Sequence, residues 1–308
     1  MTPVAVARSH VQRLVFDLVA GPKGPATRER IHGTPGPRWF EPGSPIRRVH
    51  GDASMYVGGI RALLLQSLHP LAMAAVDDHS GYKGDPWGRL ARTSAFLATT
   101  TFGTATDAQQ AIDIVRAVHR YITGTAPDGR PYRADDPHLL RWVHVAEIDS
   151  FLAAHQRYGA VPLTPSEADT YVAQASRVAL GLGAVDVPTT TAELAQAIEA
   201  YRPELACTDA AREAARFVLV RPPVPALIRA PYAVLAAAAI GLLPRWSRAP
   251  LRLPHLPLTE ATVVRLAGST AVRSLRWVMA ATPVPNADDD GPDAGPVVSA
   301  AAAGPSRG

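Results

Sequence analysis

The sequence is poor in cysteine, and this excludes several kinds of site. Its 308 residues contain a single cysteine, Cys207. No disulfide can therefore form within the chain, and zinc sites built from several cysteines are excluded. The segment from Met1 to Arg13 also lacks the apolar stretch of a secretory signal. We therefore expect a cytoplasmic protein in a reducing compartment.

Long hydrophobic runs are missing as well. The most apolar stretch, residues 232–243, reads YAVLAAAAIGLL and has twelve residues, whereas a membrane-spanning helix needs about 20. The stretch predicts a buried helix, and a peripheral membrane contact is the alternative. We expect no transmembrane segment.

An excess of charge of one sign is also absent. The chain has 31 basic and 27 acidic residues, which give a formal net charge of +4, and its basic residues are scattered. We therefore expect no nucleic-acid partner. No P-loop or dinucleotide fingerprint occurs either, because Gly181-Leu-Gly183 follows a predicted helix rather than a strand.

What the sequence does contain is helical periodicity. Hydrophobic residues make up 47% of the chain, and they recur at the three- and four-residue spacing of helix faces, without sustained alternation. We predict an all-α fold with one large multi-helix domain over residues 46–282. Residues 1–45 are predicted to be a flexible N-terminal arm with one short helix, and residues 283–308 a disordered tail.

Local signals mark several element boundaries. Thr106 or Asp107 is expected to cap one helix, and Asp136-Pro137 to begin another. The series Thr164-Pro-Ser-Glu167 predicts a capping box. The segment 125–133, with its central Asp-Gly, is expected to form a small hairpin.

Seven of the ten histidines lie between residues 50 and 155. His119 and His144 stand out because each lies on an apolar helical face, where a histidine either packs or binds a metal ion. His119 is expected to share an apolar wall with Ile112, Val115, Val118 and Ile122. The remaining five are given structural interpretations: His50 and His138 as loop or first-turn residues, His69 as a cap of the last carbonyls of a helix, His79 as a loop anchor and His155 as an exposed residue at a helix end.

The spacing of these histidines does not fit a common non-haem site. No His-Glu-x-x-His occurs, no Glu-x-x-His lies within residues 50–155, and the helices of residues 50–125 supply almost none of the carboxylates of a di-iron bundle. Haem needs one imidazole, apolar helices and a few cations. Arg89, Arg92 and Thr93 can share one helix face and supply the polar groups. A solvated basic patch is the alternative.

The same residues carry a family resemblance. The segments that match are GIRALLLQSLHP at 59–70, DHSG at 78–81, DPWGRLART at 85–93, VRAVH at 115–119, DGRPY at 128–132 and WVH at 142–144. Together they resemble the DUF2236 family, which contains the latex-clearing rubber oxygenases and the fungal MpaB oxygenase. The resemblance covers roughly residues 46–250.

The resemblance implies an all-helical fold that binds haem b through a histidine. It implies that His119 is the iron ligand, that Arg89 and Thr93 form the distal pair, and that Arg92 is the basic residue before the threonine. His144 is then expected beside the haem or on the pocket wall.

The sequence departs from the rubber-cleaving branch in two respects. It lacks the secretion signal, and residues 71–76 contain no match to the distal glutamate. We therefore expect a haem-dependent oxygenase or oxidoreductase that uses dioxygen on a small apolar substrate, such as an isoprenoid or a lipid-like molecule. The alternatives are a non-catalytic protein that binds haem or an apolar ligand, and a helical scaffold in which the histidines only pack.

Overall fold

The computed structural model describes residues 2–79, 81 and 84–280, so the predicted disordered tail at 283–308 lies outside the described residues. The described chain is predominantly α-helical, which confirms the predicted fold class. The helices are α1 Pro3–Ala20, α2 Gly24–Gly33, α3 Pro45–His50, α4 Met55–Gln66, α5 Pro70–His79, α6 Pro86–Phe102, α7 Ala105–His119, α8 Pro137–Tyr158, α9 Pro165–Leu182, α10 Thr191–Tyr201, α11 Asp209–Leu219, α12 Arg229–Leu242, α13 Arg245–Arg248, α14 Pro257–Thr259 and α15 Arg265–Met279.

The described chain has three further, short helical segments. Two are 3-10 turns, Arg202–Glu204 after α10 and Ala226–Ile228 before α12. A π-helical turn, Glu260–Val264, joins α14 to α15.

The predicted hairpin is present between α7 and α8. Strand β1, Thr123–Thr125, pairs antiparallel with β2, Pro131–Arg133, so that Gly124 faces Tyr132. A Cβ atom on Gly124 would lie 2.3 Å from the Tyr132 hydroxyl, which is too close for any side chain. Because position 124 is glycine, the Tyr132 side chain can lie over β1 and donate a hydrogen bond to Asp78 on α5.

The centre of the core is the packing of α4 along α8. Helix α12 covers α4, and α15 covers α12. A Cβ atom on Gly58 of α4 would lie 3.0 Å from Cδ1 of Phe151 on α8, so the small residue allows the two backbones to approach closely. The buried side chains that fill this region include Val57, Leu64, Leu65, Trp142, Ala146 and Ala239.

A buried arginine ties these three helices together. Arg61 on α4 is 3% exposed, and its Nη2 lies 2.7 Å from Oδ2 of Asp149 on α8. Arg61 also donates hydrogen bonds to the Ser150 hydroxyl at 2.6 Å and to the Leu242 carbonyl of α12 at 2.9 Å. Since a buried guanidinium without partners is costly, this set of acceptors fixes the register of α4 against its neighbours.

The capping signals are confirmed in two places and wrong in one. Thr164 and Glu167 form the predicted capping box at the start of α9, and Asp136 caps α8. Helix α7 is capped by Thr104 rather than by Thr106 or Asp107, because the Thr104 hydroxyl accepts from the Asp107 backbone N–H.

The N-terminal segment contains two helices, whereas the sequence predicts one. The first, α1, packs against α6 and α15, and α2 packs against α6. The Arg8 guanidinium lies 4.5 Å from the centre of the Trp277 ring and donates to the Trp277 carbonyl. Gln12 donates to the Met279 carbonyl at 3.3 Å. The first and last described helices are therefore in contact.

No single helix of residues 2–79 and 84–280 is both long and apolar enough to cross a membrane. Helices α4 and α5 reach the required length and hydropathy only as a pair, and they are bent by 107° relative to each other.

Candidate functional site

Helix α6 carries three of the predicted site residues near its N-terminus. Asp85 caps the helix by accepting a hydrogen bond from the Gly88 N–H at 2.8 Å, and Pro86 begins it. Arg89 is half-buried, while Arg92 and Thr93 are exposed. Nη1 of Arg92 lies 3.4 Å from Oδ2 of Asp85, in a solvent-exposed ion pair. Such a pair contributes little to stability, so Arg92 can change partner at small cost.

His119 is the last residue of α7, which packs against α6. The residue is half-buried, and its Nδ1 atom is buried without a hydrogen-bond partner among the described residues. Burial lowers the pKa of His119 below its ordinary value, and the negative charge of Asp135 only partly opposes this shift. The side chain is therefore a neutral imidazole at neutral pH, which is the form that binds metal ions.

The predicted apolar wall around His119 is wrong for one of its members. Ile112 is fully buried and Val115 is half-buried, on the same side of α7 as His119, but Val118 is 54% exposed. Six residues separate Ile112 from Val118, which is about 240° around the helix. Periodicity groups such residues only loosely, and packing against α6 and α9 decides which are buried.

His144 is the second predicted imidazole, and it lies deeper than His119. It is 8% exposed on α8, and its Nε2 atom is buried without a hydrogen-bond partner in the described chain. Burial lowers the pKa of His144 to about 4, so this imidazole is also neutral. Helix α9 packs against both α7 and α8, and it therefore joins the helices that carry His119 and His144.

A third histidine is interior, and the sequence interpretation of it is corrected. His50 ends α3. Its Nδ1 lies 2.8 Å from the Thr101 hydroxyl and its Nε2 lies 3.4 Å from the Tyr171 hydroxyl. Burial lowers the pKa of His50 to about 3. The following Gly51 marks a helix end in the sequence, but no local signal shows that α6 and α9 enclose it.

Glu147 is a half-buried carboxylate that the sequence analysis did not select. It lies on α8 three residues after His144, and burial raises its pKa to about 7. Burial also raises the pKa of Tyr171, and the charge of Glu147 adds to this shift. The available signal was a carboxylate among the apolar residues Val143, Val145 and Ile148 of the same helix.

A family model matches most of the chain. Residues 47–281 match the model described as ER-bound oxygenase mpaB/B'/Rubber oxygenase, catalytic domain. The chain belongs to this family. The matched range contains every predicted site residue, and the family supports oxygenase chemistry in general. The comparisons with curated proteins and with solved structures give no match.

In this oxygenase domain, two further histidines differ from their sequence interpretations. His155 is not exposed at a helix end but 2% exposed, with its Nε2 3.1 Å from the Val161 carbonyl. His69 does not cap the last carbonyls of α4. It precedes Pro70 at the start of α5, where the Ala72 N–H approaches its Nδ1 at 3.5 Å.

The oxygenase domain also has a surface cleft of about 470 Å³ between α8 and α10. Arg141, Asp186 and Glu193 are among its lining residues, and none of the predicted site residues lines it. The cleft is therefore separate from the candidate site on α6, α7 and α8.

Proposed function

We propose that this protein is a haem b-dependent oxygenase that acts on a small apolar molecule with dioxygen, in the cytoplasm. The observation that carries the proposal is His119, a neutral imidazole whose buried Nδ1 has no partner in the described chain. It lies on α7, directly against the helix that carries Arg89.

The residues present fit haem. A haem site needs one neutral imidazole, apolar helix faces and cations for the propionates. His119 offers the imidazole, Ile112 and Val115 offer an apolar face on the same helix, and Arg89 offers a guanidinium. When bound, haem would supply the oxygen chemistry, and the protein supplies the ligand, the orientation and the exclusion of water.

The polar side chains on α6 would supply positive charge and hydrogen bonds to the bound groups. The Arg89 guanidinium would pair with a propionate or donate a hydrogen bond to dioxygen, because charge-assisted hydrogen bonds are stronger than neutral ones. Thr93 would add a neutral hydroxyl, and Arg92 a second cation once it leaves Asp85. The buried, neutral His144 would form part of the pocket wall.

An apolar substrate is supported by the rest of α6. Leu90 is 36% exposed next to Arg89, and Phe96 and Leu97 are only half-buried. An isoprenoid or lipid-like molecule matches this chemistry. Product formation from an isoprenoid under oxygen distinguishes an oxygenase from the alternative of a non-catalytic protein that binds haem or an apolar ligand.

The test compares two histidine variants of the haem-replete protein. We expect His119→Ala to lose haem or to hold it weakly, with a loss of the Soret band and an unchanged helical circular dichroism spectrum. His144→Ala is expected to retain haem and to alter activity or the fine structure of the spectrum. The exposed His255 supplies a control variant, His255→Ala, that should behave as wild type.

Two results would reject the assignment. A native spectrum in His119→Ala with haem loss in His144→Ala would make His144 the ligand. A folded wild-type protein that stays colourless and does not bind added hemin would remove haem from the proposal.

A further inference from the structure

Three side chains that are distant in the sequence meet beside the N-terminus of α8. They are His69 before α5, His138 in the first turn of α8 and Glu204 in the 3-10 turn after α10. One ligand atom of each lies within 4.8 Å of the other two. Nε2 of His138 is 2.8 Å from Oε2 of Glu204, and Nε2 of His69 is 3.5 Å from the same oxygen.

His138 is held in place by its neighbour Tyr201. The Tyr201 hydroxyl donates its proton to the His138 carbonyl at 2.8 Å, and its oxygen lies 3.4 Å from Nδ1 of His138. Nε2 of His138 faces the Glu204 carboxylate, with Oε2 at 2.8 Å and Oε1 at 3.0 Å. A ring nitrogen and a carboxylate oxygen therefore already face each other at the point where a metal ion would bind both.

His69 completes a preformed set of ligands. It is 1% exposed, and the rings of Trp142 and Tyr201 lie 6.1 and 6.3 Å from its own. Its Nε2 is buried without a hydrogen-bond partner among the described residues and is directed towards Glu204.

We propose that His69, His138 and Glu204 form a divalent transition-metal site, separate from His119. Two histidines and one carboxylate with open positions are a ligand set of zinc and of non-haem iron. Ligands about 2.1 Å from a tetrahedral ion lie about 3.4 Å apart, and the two nitrogens lie 3.5 and 2.8 Å from the Glu204 oxygen, so the second distance must lengthen slightly on binding. Half-exposed His138 and Glu204 leave a solvent side where water completes the coordination.

Two neighbouring contacts oppose the site and are both weak. Metal binding at Nε2 of His69 requires a proton on Nδ1, which would replace the contact from the Ala72 N–H. At 3.5 Å, this contact is longer than a normal hydrogen bond. The Arg130 guanidinium acts on His69 as a nearby cation, but Asp128 pairs with it at 2.7 and 2.9 Å and offsets its charge.

Equilibrium dialysis of the untagged full chain against micromolar free Zn²⁺ tests the site. We expect wild type to retain one zinc per chain by elemental analysis, while haem content is read separately from the Soret band. His138→Gln and Glu204→Gln change half-exposed side chains and should keep the fold. Each should lower zinc affinity at least about tenfold, as the loss of a ligand requires. His255→Ala is the control and should retain zinc.

Either of two results overturns the site. One is a wild type that retains no zinc. The other is zinc retention that is equal in wild type, His138→Gln and Glu204→Gln. Since none of these residues belongs to the proposed haem site, failure here leaves the result for His119→Ala unaffected.

Discussion

Arg89 and Thr93 lie one turn apart on α6, but they offer different hydrogen bonds. A guanidinium makes charge-assisted bonds worth about 1.5–3 kcal/mol, whereas a neutral hydroxyl bond is worth about 1 kcal/mol. We therefore expect Arg89→Ala to impair haem retention or oxygen reactivity more than Thr93→Ala. The measurements are haem stoichiometry and oxygen binding in each purified variant. Unaltered spectra and oxygen binding in both variants would show that the pair lies outside the site.

At the same scale, the sequence singles out some of the buried or half-buried histidines and misses others for a physical reason. His119 and His144 were selectable because each follows apolar residues at helical spacing on its own helix. His50 and His155 were not, because their burial depends on partners far away in the chain, such as Thr101 and Tyr171 for His50.

The contact of His69 with Glu204 is an extreme case of this limit. The two residues are 135 positions apart, and they meet only because α5, α8 and the turn after α10 converge. No local sequence pattern of histidines and carboxylates predicts such a contact.

At the scale of elements, the adjacent glycines of α4 offer a matched pair of substitutions. A Cβ atom on Gly59 meets nothing within 4 Å, whereas one on Gly58 meets Cδ1 of Phe151 at 3.0 Å and its Cα at 3.2 Å. An alanine in a helix interior is favoured over glycine by about 0.5–1 kcal/mol. Gly59→Ala should therefore stabilise the protein by about that amount, and Gly58→Ala should destabilise it because α4 and α8 must separate.

Urea unfolding of both variants beside wild type measures the difference. Equal stabilisation by the two alanines would show that α8 can shift to accommodate a methyl group without a loss of unfolding free energy. In that case Gly58 would not determine the spacing of the two helices.

Most elements were predictable because their signals are local. The hairpin followed from Asp128-Gly129, and the start of α9 from Thr164 and Glu167. Helix α2 was missed because its segment begins with glycine and proline and has no apolar period, although it packs against α6. Helix α2 therefore forms because of its tertiary contacts, which helix propensity alone does not predict.

For the whole molecule, the buried histidines and Glu147 make stability depend on pH. Burial lowers the pKa of His50 to about 3 and that of His144 to about 4, from 6.5. Burial raises the pKa of Glu147 to about 7, from 4.5. Between pH 4.5 and 6.5, unfolding thus takes up a proton at each of these two histidines and releases one at Glu147. Together the three groups should make stability fall by about 1.4 kcal/mol per pH unit as pH decreases, and the lowered pKa values of His69, His119 and His155 add to this fall.

The variant Glu147→Gln isolates the opposing group. Without the proton released by Glu147, unfolding takes up one more proton in this range, and the loss of stability on acidification should steepen by about 1.4 kcal/mol per pH unit. Urea titrations of wild type and Glu147→Gln at several pH values measure both slopes. A stability that is flat from pH 6.5 to 4.5 in both proteins would contradict the burial of the two imidazoles.

The contact between α1 and α15 joins a helix outside the family match to a helix inside it. The family match begins at residue 47, yet α1 lies before it and holds the end of the matched region through Arg8 and Trp277. A chain trimmed to start at residue 46 should therefore expose apolar faces of α6 and α15. We expect it to melt at a lower temperature than the full chain and to bind a hydrophobic dye, as calorimetry and dye fluorescence would show. An unchanged melting temperature would show that α1 and α2 do not stabilise the domain. The helices that cover α6 and α15 at this end thus lie outside the range of the family match.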